Sequence, residues 1–356
     1  QRAGVKADQL TLNYFVIDRI AQALDAVTGP NGPQCRSASA RAAGCVPYNP
    51  FVPNGVTPEA LDYLQAPGIQ TGTIDQEIYN LSFTGDLGTY GIKLPTASDP
   101  VQIAVGAEYR RDKLQNETDA LLATAGLSGT GGATIGIVGA TTVRDYFMEA
   151  RVPLIQGATA AQDLSFDTAY RYSDYGDVNT NTYKFGLQWQ PIEDVKFRGS
   201  YQRAVRAANI VELFTAQGFN LFDLDGDPCG AQDPNPNATL AECVATGVPA
   251  ANFRSTALDS PAGQYNFTQG GNPNLSPEES DTYTAGIILT PRFVPGLVLS
   301  VDWYNIEVTE TIGVFGAQNT LDACYNNGDA AACSRIRRNP ANGALWVGSG
   351  NVLDTN

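Results

Sequence analysis

The chain has 356 residues, 22 of them basic and 37 acidic, for a formal net charge of -15. It contains no histidine, which removes Ser-His-Asp and Cys-His catalysis and every His-ligated zinc, haem or non-haem iron site. So few basic residues argue against nucleic-acid binding, which needs counterions displaced by Lys and Arg; no apolar run is long enough for a transmembrane helix.

In residues 1–74, Tyr14–Val27 carries Phe15, Ile20, Leu24 and Val27 at helical spacing. The spacing predicts a loop region with one short amphipathic helix. Beyond it, period-two alternation dominates. Candidate strands lie at about 76–93, 101–110, 143–154, 162–174, 183–189, 195–202, 281–290 and 297–304. One register is apolar, as in Val101, Ile103, Val105, Ala107 and Tyr109, or Leu297, Leu299, Val301 and Trp303. Short connections (Leu94–Pro100, Ile155–Asp163, Pro191–Asp194, Thr290–Gly296) alternate with longer ones (113–141, 175–181, 207–280, 313–356). An up-and-down antiparallel sheet with one trimmed rim has this asymmetry, as outer-membrane barrels do. Strands starting near Val101, Asp163, Val195 and Leu297 then run toward the long-loop rim.

A soluble sandwich alternates in the same way with its apolar face inside. Strand length separates the two cases. The candidates match the nine to eleven residues that cross a bilayer better than the five or six usual in globular sheets. Tyr109, Tyr146, Tyr172, Tyr183, Trp189 and Trp303 sit near strand ends on the apolar register, where an interfacial girdle belongs. Arg151, Arg171, Arg198 and Asp302 on the opposite register suit a watery lumen. The expected fold is all-β, an antiparallel up-and-down transmembrane β-barrel with long extracellular loops. It divides into a loop region over 1–74, eight strands over 75–312, and a loop over 313–356.

Six cysteines form three local couples in Pro/Gly/Asn/Ala-rich stretches: Cys35 with Cys45, Cys229 with Cys243, Cys324 with Cys333. Short-range couples in loops point to disulfides and an oxidising compartment. Zinc sites favour closer spacings, which are absent. Asp223, Asp225 and Asp227 alternate around Gly226 and offer oxygen ligands for calcium, the one cofactor suggested; the EF-hand glutamate position holds Pro234, and a solvated acidic turn is the competing reading. Phe214, Phe219, Phe222, Phe253 and Tyr265 in the same loop could stack on a sugar or aromatic ligand, or pack the loop around its cysteines. Arg110, Arg171, Arg198 and Arg203, assigned to the lumen register with Glu108, Arg151 and Arg206, could guide a substrate, meet a plug, or pair across strands. No paired carboxylates in a defined pocket can be named, so no enzyme activity is suggested.

Three segments carry a family resemblance. They are the Ser-Tyr-polar-Arg-Ala-hydrophobic-Arg-Ala run from Ser200 to Asn209, the Asn-Pro-x-Leu-x-Pro-Glu-x-Ser run from Asn272 to Ser280, and the Leu-Ser-Val-Asp-Trp-Tyr strand from Leu299 to Tyr304. In order and at this spacing, the chain resembles TonB-dependent outer-membrane receptors. The resemblance implies a 22-stranded barrel in the outer membrane of a Gram-negative bacterium, contacting lipid. It implies a plug in the lumen and a coupling box that engages the periplasmic TonB complex. It also implies import of a small-molecule or glycan substrate such as a ferric siderophore, a cobalamin or a glycan fragment. Nothing in 1–74 resembles a plug or coupling box, and eight strands are too few for that barrel. The chain therefore reads as a middle piece of a longer receptor, since unpaired sheet edges are untenable in lipid. The alternatives are a small passive eight-stranded barrel with a filled interior, and a secreted all-β adhesin, binding or carbohydrate-active protein.

Overall fold

The computed structural model describes residues 1–234 and 236–353. The chain opens with β1 (Arg2–Thr11) and a small hairpin, β2 (Ala26–Gly29) and β3 (Gly32–Cys35). Six long strands follow: β4 (Gly68–Asp86), β5 (Gln102–Thr118), β6 (Ile137–Ala158), β7 (Ala161–Asp174), β8 (Asn179–Ile192) and β9 (Val195–Arg206). Two short strands, β10 (Gly218–Asp223) and β11 (Gln264–Gln269), precede the hairpin of β12 (Glu278–Leu289) and β13 (Leu299–Thr309). The last are β14 (Ile336–Arg337) and β15 (Asn351–Leu353). The main sheet has nine strands in the order β1-β4-β5-β6-β7-β8-β9-β12-β13. Every neighbouring pair in it is antiparallel.

Eight of the nine strands are those expected, but the boundaries differ. Residues 1–74 are not loop throughout: Arg2–Thr11 pairs with β4 from Arg2↔Glu77 to Thr11↔Gly68. Its sequence, RAGVKADQLT, alternates only briefly and through small residues, Ala3, Val5 and Ala7, so its pairing with β4 is what reveals it. The ladder between β4 and β5 likewise continues to Gln70↔Thr118 through residues with no apolar register. A strand segment with the same surroundings on both faces needs no alternation, so the period-two signal fades while the hydrogen bonds continue. The 175–181 connection shrinks to a four-residue turn between β7 and β8, closed by Tyr175 N–H donating to the Val178 carbonyl at 2.9 Å. The helix expected over Tyr14–Val27 occupies Ile17–Leu24, and Val27 falls in β2.

The two faces of the sheet are chemically distinct. Register places Tyr79, Leu81 and Phe83 opposite Tyr109, Ala107 and Val105, and Val105 in turn opposite Met148. This face continues through Phe166, Phe185, Leu187, Tyr201, Tyr283, Val301 and Trp303. It is the exposed apolar face: Leu81, Phe83, Val301 and Trp303 are each 60% exposed or more. Its rings touch across strands, Tyr201 stacking on Tyr283 at 4.8 Å and Trp189 on Phe197 at 5.4 Å. The opposite face carries Asp86, Gln102, Glu149, Arg151, Asp167, Lys184 and Gln188, which line one hollow contributed by five successive strands, β4 to β8. A hollow shared by five strands requires the sheet to curl with its polar face inside.

The packed cores lie in the rim loops. Residues 207–277 and 310–353 fold together around Cys229, Leu258, Tyr265, Leu321, Tyr325, Ile336, Leu345 and Val352. Strands from both segments form one small sheet, β10-β11-β15-β14. A second core holds Ala23, Ala60, Tyr63 and Leu64, with the Pro58–Leu64 helix capped by Thr57. A third joins that region to the 119–136 loop through Val16, Leu122 and Leu127.

Candidate functional site at the long-loop rim

All three cysteine couples are disulfides, Cys35–Cys45, Cys229–Cys243 and Cys324–Cys333, and no described cysteine is free. Each closes a short loop within one rim segment. They shorten the excursions of the unfolded loops and so favour the ordered rim.

The rim loops form a continuous structure. The 12–67 segment meets the 119–136 loop where Ile17 N–H donates to the Gly126 carbonyl at 2.9 Å and Ser128 N–H to the Phe15 carbonyl at 2.8 Å. Gly131 and Gly132 of that loop lie against Leu221 and Phe219 of β10. Strand β10 pairs with β11, and β11 pairs in parallel with β15 from the far segment.

At the centre of the 207–277/310–353 body lies an ion pair with no exposed side-chain surface. Arg338 donates through Nη1 to Asp227 Oδ2 at 2.6 Å and through Nη2 to Asp227 Oδ1 at 2.8 Å. The remaining guanidinium protons reach the Gly343 carbonyl at 2.8 Å, the Tyr325 hydroxyl at 3.1 Å and the Thr246 hydroxyl at 3.3 Å. Cys229 N–H donates to Asp227 Oδ1 at 2.9 Å. Burial by itself would lower the Arg338 pKa; the Asp227 charge and hydrogen bonds outweigh it and raise it. This overturns Asp227 as a calcium ligand, because both its oxygens are taken by the guanidinium. Asp223 accepts from Gln264 Nε2 at 3.3 Å, and Asp225 lines a cleft with Asp322 and Asn326. Among the described residues no three acidic or cysteine side chains are grouped to hold a metal.

The loop aromatics divide. Tyr265 is 1% exposed, and burial pushes its phenol up. Phe222 packs on it at 6.0 Å and meets Phe267 edge-on. Phe253 packs against the same core under the Arg254 guanidinium. Tyr265 is buried, and Phe222 and Phe253 are partly buried against the same core, so these three help hold the loop together. Phe214 and Phe219 remain 38% and 50% exposed. Phe214 lies over Gly139 of β6, where an added Cβ would come within 2.4 Å of its ring.

The arginines divide as well. Arg110 and Arg171 face a neighbouring open hollow on the same side of the sheet, about 590 Å³ in volume and lined also by Asp145, Glu149, Lys184 and Tyr175. Asp145 accepts from the Ser173 hydroxyl and lies 3.9 Å from Arg171, whose guanidinium also sits over the Phe147 ring. Burial pushes the Tyr175 phenol up, and Asp145 adds to the shift. Arg198 pairs bidentately with Asp302 at 2.8 and 2.6 Å. The two lie on β9 and β13 with Gly286 of β12 between them, and an added Cβ there would come 1.9 Å from the Asp302 carboxylate. Arg203 is a correction: it shares the outward register of Phe197 and Tyr201 and pairs with Asp281 and Glu279 at 3.3 and 3.2 Å. Residue parity, odd here against even for Arg198 and Arg206, carries that signal. Parity would also have added Asp145, Glu149 and Lys184 to the lumen set.

The two segments that bound the longest loop meet at its base. Arg206, ending β9, donates to both oxygens of Glu278, which starts β12, at 2.7 and 2.8 Å. Its Nη1 also reaches Glu212 at 3.0 Å. Glu212 closes a capping box with Asn209, which starts the Ile210–Phe214 helix. Glu278 Oε1 further accepts Ile312 N–H, just beyond β13, at 2.7 Å.

A family model described as TonB dependent receptor-like, beta-barrel matches residues 24–343. No curated protein matches the chain by sequence. Among solved structures, the chain is similar to the siderophore receptor PirA from Pseudomonas aeruginosa (TM-score 0.43, 13% identity, covering 82% of this chain and 39% of that one). It is also similar to the ferric enterobactin receptor PfeA from Pseudomonas aeruginosa in complex with enterobactin (0.46, 13%, 99% and 36%). A third is the Serratia marcescens hemophore receptor HasR in complex with its hemophore HasA and heme (0.40, 14%, 82% and 40%). The chain thus spans well under half the length of these proteins.

Proposed function

Because this chain belongs to the TonB-dependent receptor-like β-barrel family, we propose that it supplies wall strands and rim loops of an outer-membrane receptor that imports a scarce nutrient. The observation that carries this is the two-faced sheet. Its outward register is exposed, apolar and banded with aromatic rings, while its inward register is charged and cross-paired. A water-soluble sandwich would bury the apolar register, and here it is the exposed one.

In this reading the outward rings of Tyr79, Tyr109, Tyr183, Tyr201 and Tyr283 sit at the lipid headgroup level. The rim loops, stapled by three disulfides, meet the substrate first. Exposed Phe214 and Phe219 offer it aromatic faces, and Arg110 and Arg171 lie on the inward path. A plug, the periplasmic TonB complex and outer-membrane lipid are the partners. The substrate is a small molecule or glycan fragment: a ferric siderophore, a cobalamin or an oligosaccharide.

The test is fractionation of cells carrying the native gene, followed by ligand uptake with and without the inner-membrane proton gradient. The reading expects a detergent-requiring polypeptide in the outer-membrane fraction and uptake that stops when the gradient is collapsed. A polypeptide recovered as a soluble monomer without detergent would end it.

A further inference from the structure

The 207–277 and 310–353 loops are far apart in sequence and separated by the β12–β13 hairpin, yet they share one core and one small sheet. The buried Arg338–Asp227 pair joins them, as do Asn266 N–H to the Leu345 carbonyl at 2.8 Å and Asn252 Nδ2 to the Asn342 carbonyl at 2.9 Å. A body that shares a buried ion pair and an apolar core does not separate into independent loops without exposing both.

Its attachment to the sheet is different in kind. The chain enters after Arg206, leaves before Glu278, enters again past Thr309 and passes Ile312. All of these strand ends are tied by one half-exposed knot, Arg206 with Glu278 and Glu212, and Glu278 with Ile312 N–H. Glu278 therefore holds the exit of the first loop and the entrance of the second with the same carboxylate. Backbone bonds from Gly271 to Thr215 and from Asn272 to Glu212 brace the neck beside it.

We propose that the two longest rim loops act as a single rigid body over the mouth, and that Arg206 and Glu278 are positioning residues that set its orientation on the sheet. Ligand contact with either loop then moves both. A fork-shaped guanidinium holding two carboxylates fixes direction as well as distance, which a lysine cannot. This extends the receptor reading but does not depend on its substrate, since the geometry can be measured without any ligand.

The test is pulsed-dipolar distance measurement on the full-length receptor in detergent or nanodiscs. The six cysteines of this chain are disulfide-bonded and do not compete with introduced thiols for the spin label. One pair, Ala257→Cys with Ala330→Cys, spans the two loops; another, Asp177→Cys with Ala257→Cys, spans sheet and body. Both should give one narrow distance in the otherwise unmutated receptor. In Arg206→Ala and in Glu278→Gln the loop-to-loop distance should stay narrow while the sheet-to-body distance loses its single peak. Arg206→Lys should fall between. A broad loop-to-loop distance in the unmutated receptor overturns the single body, and this arm needs no destabilising variant. A sheet-to-body distance that stays narrow in both Arg206→Ala and Glu278→Gln overturns the positioning role. Failure of uptake with these distances as expected would count against the receptor reading alone.

Discussion

Asp227 and Arg338, 111 residues apart in the chain, face each other in a bidentate pair with neither side chain exposed to solvent. The pair is bought with desolvation and held by a full set of partners, Cys229 N–H on the carboxylate and Gly343, Tyr325 and Thr246 around the guanidinium. Removing one member leaves the other charged and buried.

Asp227→Ala is expected to destabilise the loop body by about 3–5 kcal/mol, whereas a double change to Asp227→Leu with Arg338→Met should be far milder. Hydrogen-exchange protection of 224–265 and 317–353 reads this directly. Protection unchanged in Asp227→Ala would show that the pair does not hold the two loops.

The Cys229–Cys243 staple joins residues 14 apart in the chain inside that body. Replacing both cysteines by serine should cost the body about 3 kcal/mol. Limited proteolysis of intact outer membranes should then cut within 228–246, while replacing Cys35 and Cys45 should leave that stretch resistant. Equal susceptibility in the two variants would contradict separate rim cores.

Val105 and Ala104 are neighbours on β5 with opposite facing, Val105 beside Phe83 and Met148 on the apolar side. Val105→Lys should destabilise the membrane-inserted protein by about 2–4 kcal/mol near the bilayer centre. Ala104→Lys, on the inward face, should stay within about 1 kcal/mol. Urea midpoints of the heat-modifiable folded band in lipid vesicles compare them, and a reversed order would invert the assignment of faces.

Glu242 closes the capping box of the Leu240–Ala245 helix, and the Thr239 backbone N–H it accepts holds its carboxyl below the usual range, helped by the Thr239 hydroxyl. A carboxyl depressed in the folded state adds stability above its unfolded pKa and loses it as pH falls through the folded pKa. Protection of this helix should therefore decline as acid passes below the ordinary glutamate range, and Glu242→Gln should flatten that step. A step of the same size in Glu242→Gln would assign it to other groups.

Period-two alternation located eight strands, because a sheet with one apolar and one polar face forces opposite chemistry on successive residues; connection length was a weaker guide, since the expected long connection between β7 and β8 is a four-residue turn. Cysteine couples nine to fourteen residues apart were readable for a similarly local reason. Where both faces have the same surroundings the pattern fades, so β1 and the upper ladder of β4 and β5 emerged only through pairing. Local sequence also could not tell an exposed aromatic from a core one: Phe219 and Tyr265 sit in similarly polar stretches, and only the core that the 207–277 loop builds with residues from 310–353 covers Tyr265. Asp227 looked like a calcium ligand because its nearest neighbours are carboxylates. Its true partner comes from the other loop, and a charge settles on whichever opposite charge shares its dry interior, which sequence distance does not encode.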